Sequence, residues 1–360
     1  MRWVIAGGGT GGHLFPGMAI AEAFLEREES NEVLFVGTER GIEKRLLGGE
    51  KYPLMTISAM PIRGKSLRGK VKAFWFLPKA ILESYAILKR YRPEIVIGVG
   101  GYASGPVLIA ATLLGLPRVI HEQNIIPGTT NQILKWWVHR IFVSFEETGR
   151  YFPKKKTRVT GNPVRKEMTL LGPIREKGER FTILIFGGSA GAHRINMAMI
   201  EALGYLERLK SSIKIIHQTG KEDLEFVEKS YRERGFEAEV TPFIREMALA
   251  YQKADLVISR AGASTLAELA VCGKAAILIP YPYSAHQHQL INAERLMEKG
   301  AALMIRDEGL NGSTLSQAIF HLYEHPEERE RMELSIRRLG RPMAAQEIVD
   351  HCYRLIGRMG

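Results

Sequence analysis

An apolar, β-branched run followed by glycines and then by a helical pattern occurs four times in this chain. The four runs cover residues 3–6, 95–99, 182–186 and 256–259. Continuous apolar strands that alternate with helices are typical of parallel sheets covered by helices on both faces. Because Gly7 and Gly187 lie 180 residues apart in a chain of 360, each half begins with the same pattern of strand, glycine turn and helix. The sequence therefore predicts an α/β protein with two doubly wound domains and ligands at the carboxyl ends of the strands.

The junction between the halves is indicated by composition. Residues 154–180 contain two prolines, three glycines and many cations, a mixture typical of a domain linker. We place the domain boundary near Asn162. Beyond Gly312 the pattern is helical to the end, with a break at 340–342 before a last amphipathic helix predicted over 343–356.

The chain is basic, and its net positive charge indicates which classes of binding partner are favoured. Lys and Arg outnumber Asp and Glu by 50 to 39, a net charge of +11. This balance favours ligands that carry phosphate, or an anionic membrane surface, over acidic protein patches. The sequence contains no RNP, KH or helix-turn-helix signature, so we expect no nucleic-acid partner.

Cysteine usage and hydropathy exclude several other classes. The two cysteines, Cys272 and Cys352, cannot build a disulfide framework and lie in no Cys/His cluster, which favours a reducing compartment and no structural zinc. The N-terminus runs directly from a predicted strand into glycines and lacks the apolar core of a signal peptide. The most apolar span, residues 107–116, is too short to cross a bilayer and suits a buried helix.

The glycine-rich turns predict an anionic ligand. A glycine turn between a strand and a helix lets backbone N–H groups and the helix dipole approach an anion closely. In any single loop the glycines could serve only to make a tight turn. The first loop also fits the dinucleotide pattern Gly7-x-Gly9-x-x-Gly12, with Glu39 as the ribose acid. Four such loops in a basic protein favour two anionic substrates over one dinucleotide.

Six motifs together resemble one family. They are GGTGGHLFPG at 8–17, GGYASGP at 100–106, HEQN at 121–124, GNPVR at 161–165, GGSAGA at 187–192 and HQLINA at 288–293. In this order, over roughly residues 3–300, they are similar to the bacterial cell-wall N-acetylglucosaminyltransferases. The resemblance implies the GT-B fold, with two Rossmann-like domains facing across a cleft, and an inverting transfer from UDP-N-acetylglucosamine (UDP-GlcNAc). The implied acceptor is undecaprenyl-diphosphoryl-muramyl-pentapeptide, the product is lipid II, and the enzyme is peripheral on the cytoplasmic face of the membrane.

The same resemblance assigns tasks to the halves. Residues 1–162, with a C-terminal helix over 342–360, would form the domain that binds acceptor and membrane, and residues 163–341 the domain that binds UDP-GlcNAc. Other cell-wall synthesis proteins are possible further partners.

No metal is expected at the diphosphate. The four aspartates, at 223, 255, 307 and 350, are too far apart in sequence for the D-x-D clamp of many sugar-nucleotide transferases. Backbone amides, a helix dipole and a cation can stabilise the leaving UDP instead. The resemblance gives this role to Ser189 and Arg165, although by itself Arg165 could be a solvated linker cation.

His286 and His288 alternate without a nearby carboxylate or cysteine, so we reject a metal site there. The extra pair His286-Gln287 departs from the family pattern.

The resemblance also supplies the substrate contacts. Glu268 would accept both ribose hydroxyls, although a carboxylate near a helix start could be purely structural. Ile244 would read the uracil edge through its backbone, and Gln289 would contact the sugar. The predicted donor set is Thr10, Gly11, Gly12, Asn124, Arg165, Ser189, Ile244, Ala263, Ser264, Thr265, Leu266, Ala267, Glu268 and Gln289. The predicted acceptor set is Gly9, Gly101, Tyr102 and Asn131.

Inversion requires one base for the acceptor hydroxyl and no covalent intermediate. His13 is the first candidate, because the N-terminus of a helix disfavours imidazolium and keeps the base neutral. Its alternative role is to cap the helix or to donate to a phosphate. Glu122 is the second candidate.

A cationic stretch indicates a membrane surface. Residues 51–82 contain seven cations and no acid, and Phe74, Trp75 and Phe76 lie within this stretch. Trp75 and Phe76 fall off the apolar face of the predicted helix, which suits insertion among anionic headgroups. Packing at a domain interface is the alternative.

Three rival functions remain open on the sequence alone. An NAD-dependent oxidoreductase would use the first loop and Glu39 but would leave the third and fourth loops unexplained. A UDP-GlcNAc 2-epimerase would share the nucleotide pocket but needs further catalytic carboxylates. A UDP-sugar-binding module without catalysis would lose nothing when His13 is replaced.

Overall fold

The structure is a computed structural model that describes residues 1–9, 11–39, 52–60, 67–170, 180–188 and 191–357, with the backbone alone for 67–75. The chain divides into two compact units. The first comprises Met1–Lys166 and Arg341–Gly360, and the second comprises Glu167–Gly340.

The first unit is built on a parallel sheet of seven strands in the order β3-β2-β1-β4-β5-β6-β7. The strands are β1 Arg2–Ala6, β2 Glu32–Thr38, β3 Leu54–Ile57, β4 Ile95–Gly98, β5 Arg118–Glu122, β6 Arg140–Val143 and β7 Thr157–Val159. The helices are α1 Gly11–Leu25, α2 Leu67–Tyr91, α3 Ser104–Leu113 and α4 Thr129–Leu134, with α13 Ala344–Leu355 from the C-terminus. The order of the strands reverses between β1 and β4, where ligands of such sheets bind.

The core of this unit follows from its apolar strands. Trp3 of β1 lies between Val33 of β2 and Ile95 of β4, and all three side chains are buried. The ring of Trp3 stacks on Phe24 of α1 at 3.8 Å between centroids and contacts Tyr353 of α13. Helix α13 therefore returns to the first unit because its apolar face completes this core.

The second unit repeats the architecture with six parallel strands in the order β10-β9-β8-β11-β12-β13. The strands are β8 Phe181–Phe186, β9 Ile213–Gln218, β10 Ala238–Thr241, β11 Leu256–Ser259, β12 Ala276–Leu278 and β13 Leu303–Met304. The helices are α5 Lys166–Leu170, α6 His193–Ala202, α7 Leu224–Arg234, α8 Met247–Lys253, α9 Ala263–Cys272, α10 His288–Glu298, α11 Gly312–Glu324 and α12 Pro326–Arg337. The predicted fold class, two doubly wound α/β domains, is confirmed.

One local expectation is wrong. Residues 154–180 are not linker throughout, because β7 pairs its Arg158 with Phe142 of β6 at the edge of the first sheet. A strand of three residues with one neighbour is too short to be distinguished from a linker by composition.

Candidate active site

The loops after β1 and β4 pack against each other at the point where the strand order reverses. Gly100 and Gly101 both have positive φ angles, 93° and 79°, which side chains rarely adopt. A Cβ atom on Gly101 would collide with the carbonyl oxygen of Gly8, and one on Gly100 would lie 2.5 Å from Cδ2 of His13. The glycines are therefore required so that the half-buried imidazole of His13 can lie against the β4 loop.

Tyr102 covers the first glycine loop. A Cβ atom on Gly9 would lie 2.9 Å from Cε1 of Tyr102, and the Tyr102 hydroxyl lies 3.2 Å from Oγ1 of Thr38. The structure thus brings together Gly9, Gly101, Tyr102 and His13, as predicted for one site. Gly11 and Gly12 open α1, and Thr10 lies outside the described residues.

Glu122 is buried at the end of β5 and holds the following loop. Its Oε1 accepts hydrogen bonds from the backbone N–H and the side-chain amide of Asn124, at 3.0 and 3.4 Å. Its Oε2 accepts from the N–H of Gly128 at 2.9 Å and from the side-chain amide of Asn131 at 2.8 Å. Burial raises the pKa of Glu122, against the opposing effect of these four hydrogen bonds. The Glu122 side chain is 2% exposed, and both of its oxygens are engaged in an arrangement that positions Asn124 and Asn131.

Replacing Glu122 with glutamine is expected to destabilise the first unit by about 2 kcal/mol or more, because the new amide NH₂ would face a buried donor. Urea denaturation of the full chain measures this loss. Glu29→Gln, at an exposed carboxylate of the same unit, is the matched control and should leave the midpoint unchanged. A Glu122→Gln protein as stable as the wild type, but with catalysis reduced 100-fold or more, would return Glu122 to the role of base.

Arg165 is not a solvated linker cation. It is half-buried in the first unit, and its guanidinium carbon lies 5.1 Å from the ring centroid of Phe15 on α1. Its neighbour Lys166 forms an ion pair at 2.6 Å with Glu26, the residue that follows the end of α1. The segment that leaves the first unit is therefore fixed along α1, with Arg165 near the start of that helix. Ser189, the other residue predicted to contact phosphate, lies outside the described residues.

In the second unit, Glu268 lies in the second turn of α9 and is 8% exposed. The hydroxyl of Tyr251 donates to its Oε2 at 3.2 Å. The predicted neighbours Ala263, Ser264, Thr265, Leu266 and Ala267 form the first turns of the same helix, directly after Gly262. The helix thus groups these predicted nucleotide contacts at its N-terminal end.

Gln218, at the end of β9, is a candidate site residue that the sequence analysis missed. Its side-chain NH₂ donates to the carbonyl oxygen of Gly188 at 2.7 Å, and its Oε1 accepts from the N–H of Ile244 at 2.9 Å. One buried amide therefore joins the glycine loop after β8 to the segment predicted to read the base. The available signal was Gln218-Thr219-Gly220, a further strand end followed by glycine.

Gln289 lies in the first turn of α10, and its side chain is held by the preceding loop. Its Oε1 accepts from the N–H of Tyr281 at 3.0 Å, and its own N–H lies 3.3 Å from Oγ of Ser284. His286 and Gln287 both adopt left-handed conformations, with φ angles of 54° and 53°. The pair that departs from the family pattern therefore forms a tight turn into α10.

Within the described ranges, no group of three or more His, Cys, Asp or Glu side chains is placed to hold a metal ion.

Of the residues predicted to contact the membrane, most have side chains that the structure does not describe. The side chains of Phe74 and Trp75 are not described, and Phe76 is half-buried. The exposed aromatic side chains of the described first unit include Trp136 and Trp137, which follow α4. No described helix is long and apolar enough to cross a membrane.

Comparisons with known proteins agree over both units. The model of the glycosyltransferase family 28 N-terminal domain matches residues 3–143, and that of the family 28 C-terminal domain matches residues 182–348. A Myxococcus xanthus protein named UDP-N-acetylglucosamine--N-acetylmuramyl-(pentapeptide) pyrophosphoryl-undecaprenol N-acetylglucosamine transferase is 50% identical over 359 residues, 99% of this chain and 93% of that protein. A protein of the same name from Geotalea daltonii is 52% identical over 97% of this chain and 96% of its own length. The crystal structure of Acinetobacter baumannii MurG is similar with a TM-score of 0.76 at 32% identity, covering 98% of this chain and 99% of that one.

Proposed function

The chain belongs to glycosyltransferase family 28, and on that premise we propose that it transfers N-acetylglucosamine from UDP-GlcNAc to a lipid-linked acceptor. The acceptor group is the 4-hydroxyl of the muramyl residue of undecaprenyl-diphosphoryl-MurNAc-pentapeptide, and the product is lipid II for peptidoglycan synthesis. The observation that carries this proposal is identity of about half of all positions, over nearly the full length, with proteins named for that reaction.

His13 is the proposed base. Its imidazole removes the proton of the 4-hydroxyl, the freed oxygen bonds to C1 of the sugar, and the bond from C1 to the diphosphate breaks. UDP leaves with that electron pair, so one displacement inverts the anomeric carbon without a covalent enzyme intermediate. The packing of His13 against Gly100 and the engagement of both Glu122 oxygens favour His13 over Glu122.

The leaving diphosphate is stabilised without a metal in this proposal. Arg165, held by Phe15, and the glycine loop with Ser189 supply a cation, backbone N–H groups and a hydroxyl. The guanidinium carbon of Arg165 lies 5.1 Å from the Phe15 ring centroid, within the range of a cation–π contact that places this cation near the start of α1.

The remaining predicted residues contact the nucleotide or the acceptor. Glu268 accepts the ribose hydroxyls, and the carbonyl of Ile244 accepts the uracil N3–H while Gln218 holds the Ile244 N–H. Asn124 and Gln289 contact the donor, as do Thr10, Gly11 and Gly12. The floor of the acceptor site is formed by Gly9, Gly101, Tyr102 and Asn131. Glu122 holds the Asn131 side chain in place by accepting its hydrogen bond.

The experiment is a transfer assay with labelled UDP-GlcNAc and the lipid-diphosphate muramyl-peptide acceptor, in the presence of EDTA. Sugar transfer with release of UDP supports the proposal. Absence of transfer would refute it, and loss of transfer only when EDTA is present would refute the metal-free mechanism. Nicotinamide binding or formation of an epimerised UDP-sugar would instead support the rival functions.

The membrane surface of the proposed enzyme includes Ile133, Trp136 and Trp137, which we name the tryptophan surface. Trp136 and Trp137 are 66% and 46% exposed, and Lys135 lies over the Trp136 ring at 5.3 Å. Lys156 also lies beside this surface, because its Nζ donates to the carbonyl oxygen of Trp136 at 2.8 Å. Exposed indoles among cations suit an anionic headgroup region.

Helix α4 connects this surface to the acceptor loop. Asn131, near its start, contacts Glu122, and Trp136 follows its end. Helix α4 has six residues and spans about 9 Å. A connection this short suits an acceptor whose sugar is joined to its lipid through a diphosphate. We therefore place the enzyme peripherally on the cytoplasmic face of the membrane, where other cell-wall synthesis proteins are potential partners.

Replacing Trp136 and Trp137 together with serine is expected to reduce binding to vesicles that contain anionic phospholipid by about tenfold or more, because two interfacial rings are removed. Vesicle sedimentation measures the bound fraction. Transfer to a short-chain soluble acceptor should persist. Phe226→Ser, at a 53%-exposed ring of the second unit, is the matched control. Equal sedimentation of the double variant and this control would show that the tryptophan surface does not contact lipid.

A further inference from the structure

The environment of Gln289 assigns a task to two residues outside the predicted substrate contacts. We infer that Arg260 and Asp307 are positioning residues that hold the Gln289 side chain so that it donates a hydrogen bond to the sugar of the donor. This inference rests on the proposed function, because it assumes that the donor carries a sugar at Gln289.

Arg260 links β11 to the segment that follows β12. It is 8% exposed, and its Nη1 lies 3.2 Å from the carbonyl oxygens of both Ile279 and Pro280. Its guanidinium carbon also lies 5.4 Å from the ring centroid of Tyr281. Three consecutive residues are therefore held by one buried cation. Because carbonyl oxygens and an aromatic face all attract a cation, these contacts depend on the charge of Arg260.

Asp307 supplies the carboxylate that such a buried cation requires. Its Oδ1 lies 2.5 Å from Nη1 of Arg260, and the Asp307 side chain is only 15% exposed. Arg194, at the start of α6, approaches the same carboxylate at 3.6 Å and donates to the Asp307 carbonyl at 2.8 Å. Asp307 is thus anchored from a second side, and it fixes where the Arg260 guanidinium lies.

The held segment determines which end of the Gln289 amide is exposed to a ligand. The N–H of Tyr281 donates to Oε1 of Gln289 at 3.0 Å. A backbone N–H can only donate, so the atom that faces it must be the amide oxygen. The NH₂ group of Gln289 consequently points away from Tyr281. A half-buried amide fixed in this way offers donors, and a sugar hydroxyl oxygen can accept from them.

The order of contacts then runs from Asp307 to Arg260, from Arg260 to residues 279–281, and from Tyr281 to Gln289. Loss of the Asp307 charge would leave the Arg260 cation without this partner and loosen the segment that orients the amide. The nucleotide contacts on α9 do not pass through this chain of contacts. Sugar recognition should therefore be affected while nucleotide recognition is retained.

The test compares the affinities for UDP and UDP-GlcNAc in the full-length Asp307→Asn protein by calorimetry. We expect the ratio of the UDP dissociation constant to the UDP-GlcNAc dissociation constant to fall about fivefold, as for loss of one hydrogen bond, with UDP itself bound within about twofold of the wild type. Glu294→Gln, which removes a carboxylate of α10 that pairs with Arg306, is the matched control and should change neither constant. Arg260→Lys keeps the positive charge but cannot make all the contacts of the guanidinium group, so it should shift the ratio in the same direction. This variant replaces Asp307→Asn in the test if Asp307→Asn fails to fold.

A double-mutant cycle with Gln289→Ala separates positioning from general weakening. If Asp307 acts through Gln289, Asp307→Asn should lower the ratio no further in the Gln289→Ala background. Equal weakening of UDP and UDP-GlcNAc, or full additivity in the cycle, would overturn the inference and leave the proposed function intact. Failure of the wild type to bind UDP-GlcNAc would overturn both.

Discussion

Replacing His13 with glutamine is expected to lower kcat by about 10²- to 10⁴-fold, the usual contribution of a general base. Glutamine keeps a planar side chain beside Gly100 but cannot accept a proton from the acceptor hydroxyl. Affinity for UDP-GlcNAc should stay within about threefold of the wild type, because a group that acts on the proton in transit contributes little to ground-state binding. Steady-state transfer kinetics together with calorimetry of UDP-GlcNAc measure the two quantities.

The dependence of rate on pH gives a second readout of the same variant. A neutral imidazole base makes kcat/KM rise with pH on the acid side, and this limb should be absent in His13→Gln. His321→Gln removes a histidine that pairs with Glu328 in the second unit and is the matched control. If His13→Gln keeps a wild-type kcat, or loses UDP-GlcNAc affinity as strongly as rate, His13 binds phosphate or caps α1 instead.

Replacing Glu268 with glutamine is expected to weaken UDP binding by about 10- to 100-fold, because hydrogen bonds to a carboxylate contribute about 1.5–3 kcal/mol each. Only a carboxylate offers acceptors on both oxygens to the two ribose hydroxyls. The value of kcat at saturating donor should change far less, since the ribose contact is the same before and during the transfer. Calorimetry with UDP and steady-state kinetics measure these effects.

The ribose itself identifies the partner of Glu268. The wild type should bind 2′-deoxy-UDP more weakly than UDP, whereas Glu268→Gln should discriminate less between them, which is the non-additivity expected of a direct contact. Tyr251→Phe removes only the hydroxyl that donates to Glu268 and should cost less than the charge change. If Glu268→Gln discriminates as well as the wild type does, the carboxylate is structural and stabilises the start of α9.

The grouping of candidate site residues within each unit could largely be predicted from local sequence. Gly9, Gly101 and Tyr102 meet as expected, because each lies at the carboxyl end of β1 or β4 and those strands are neighbours in the sheet. Ala263 to Glu268 share one helix, so their grouping also follows from position in the chain. The apolar runs, with their continuous burial, likewise predicted the central strands of both units correctly.

The roles of several polar residues could not be predicted in this way. Glu122 has the chemistry of a base, but hydrogen bonds from Asn124, Gly128 and Asn131 engage it as a structural acceptor. Gln218 was marked only by its place at a strand end shortly before Gly220, yet it joins Gly188 to Ile244, respectively 30 positions before it and 26 after it. A side chain's chemistry states what it can bind, and its surroundings decide what it does bind.

The sequence by itself determined the two repeated α/β units, the glycine turns and the basic character of this protein. Strand and helix periodicities and the φ angles open to glycine act over a few residues, so they can be read from a short window. Only the tertiary structure decided that Arg260 pairs with Asp307, 47 positions further along the chain, and that Tyr281 thereby orients Gln289. Such contacts are fixed by the order in which strands enter the sheet and by the need to pair a buried charge, and both are properties of the assembled fold.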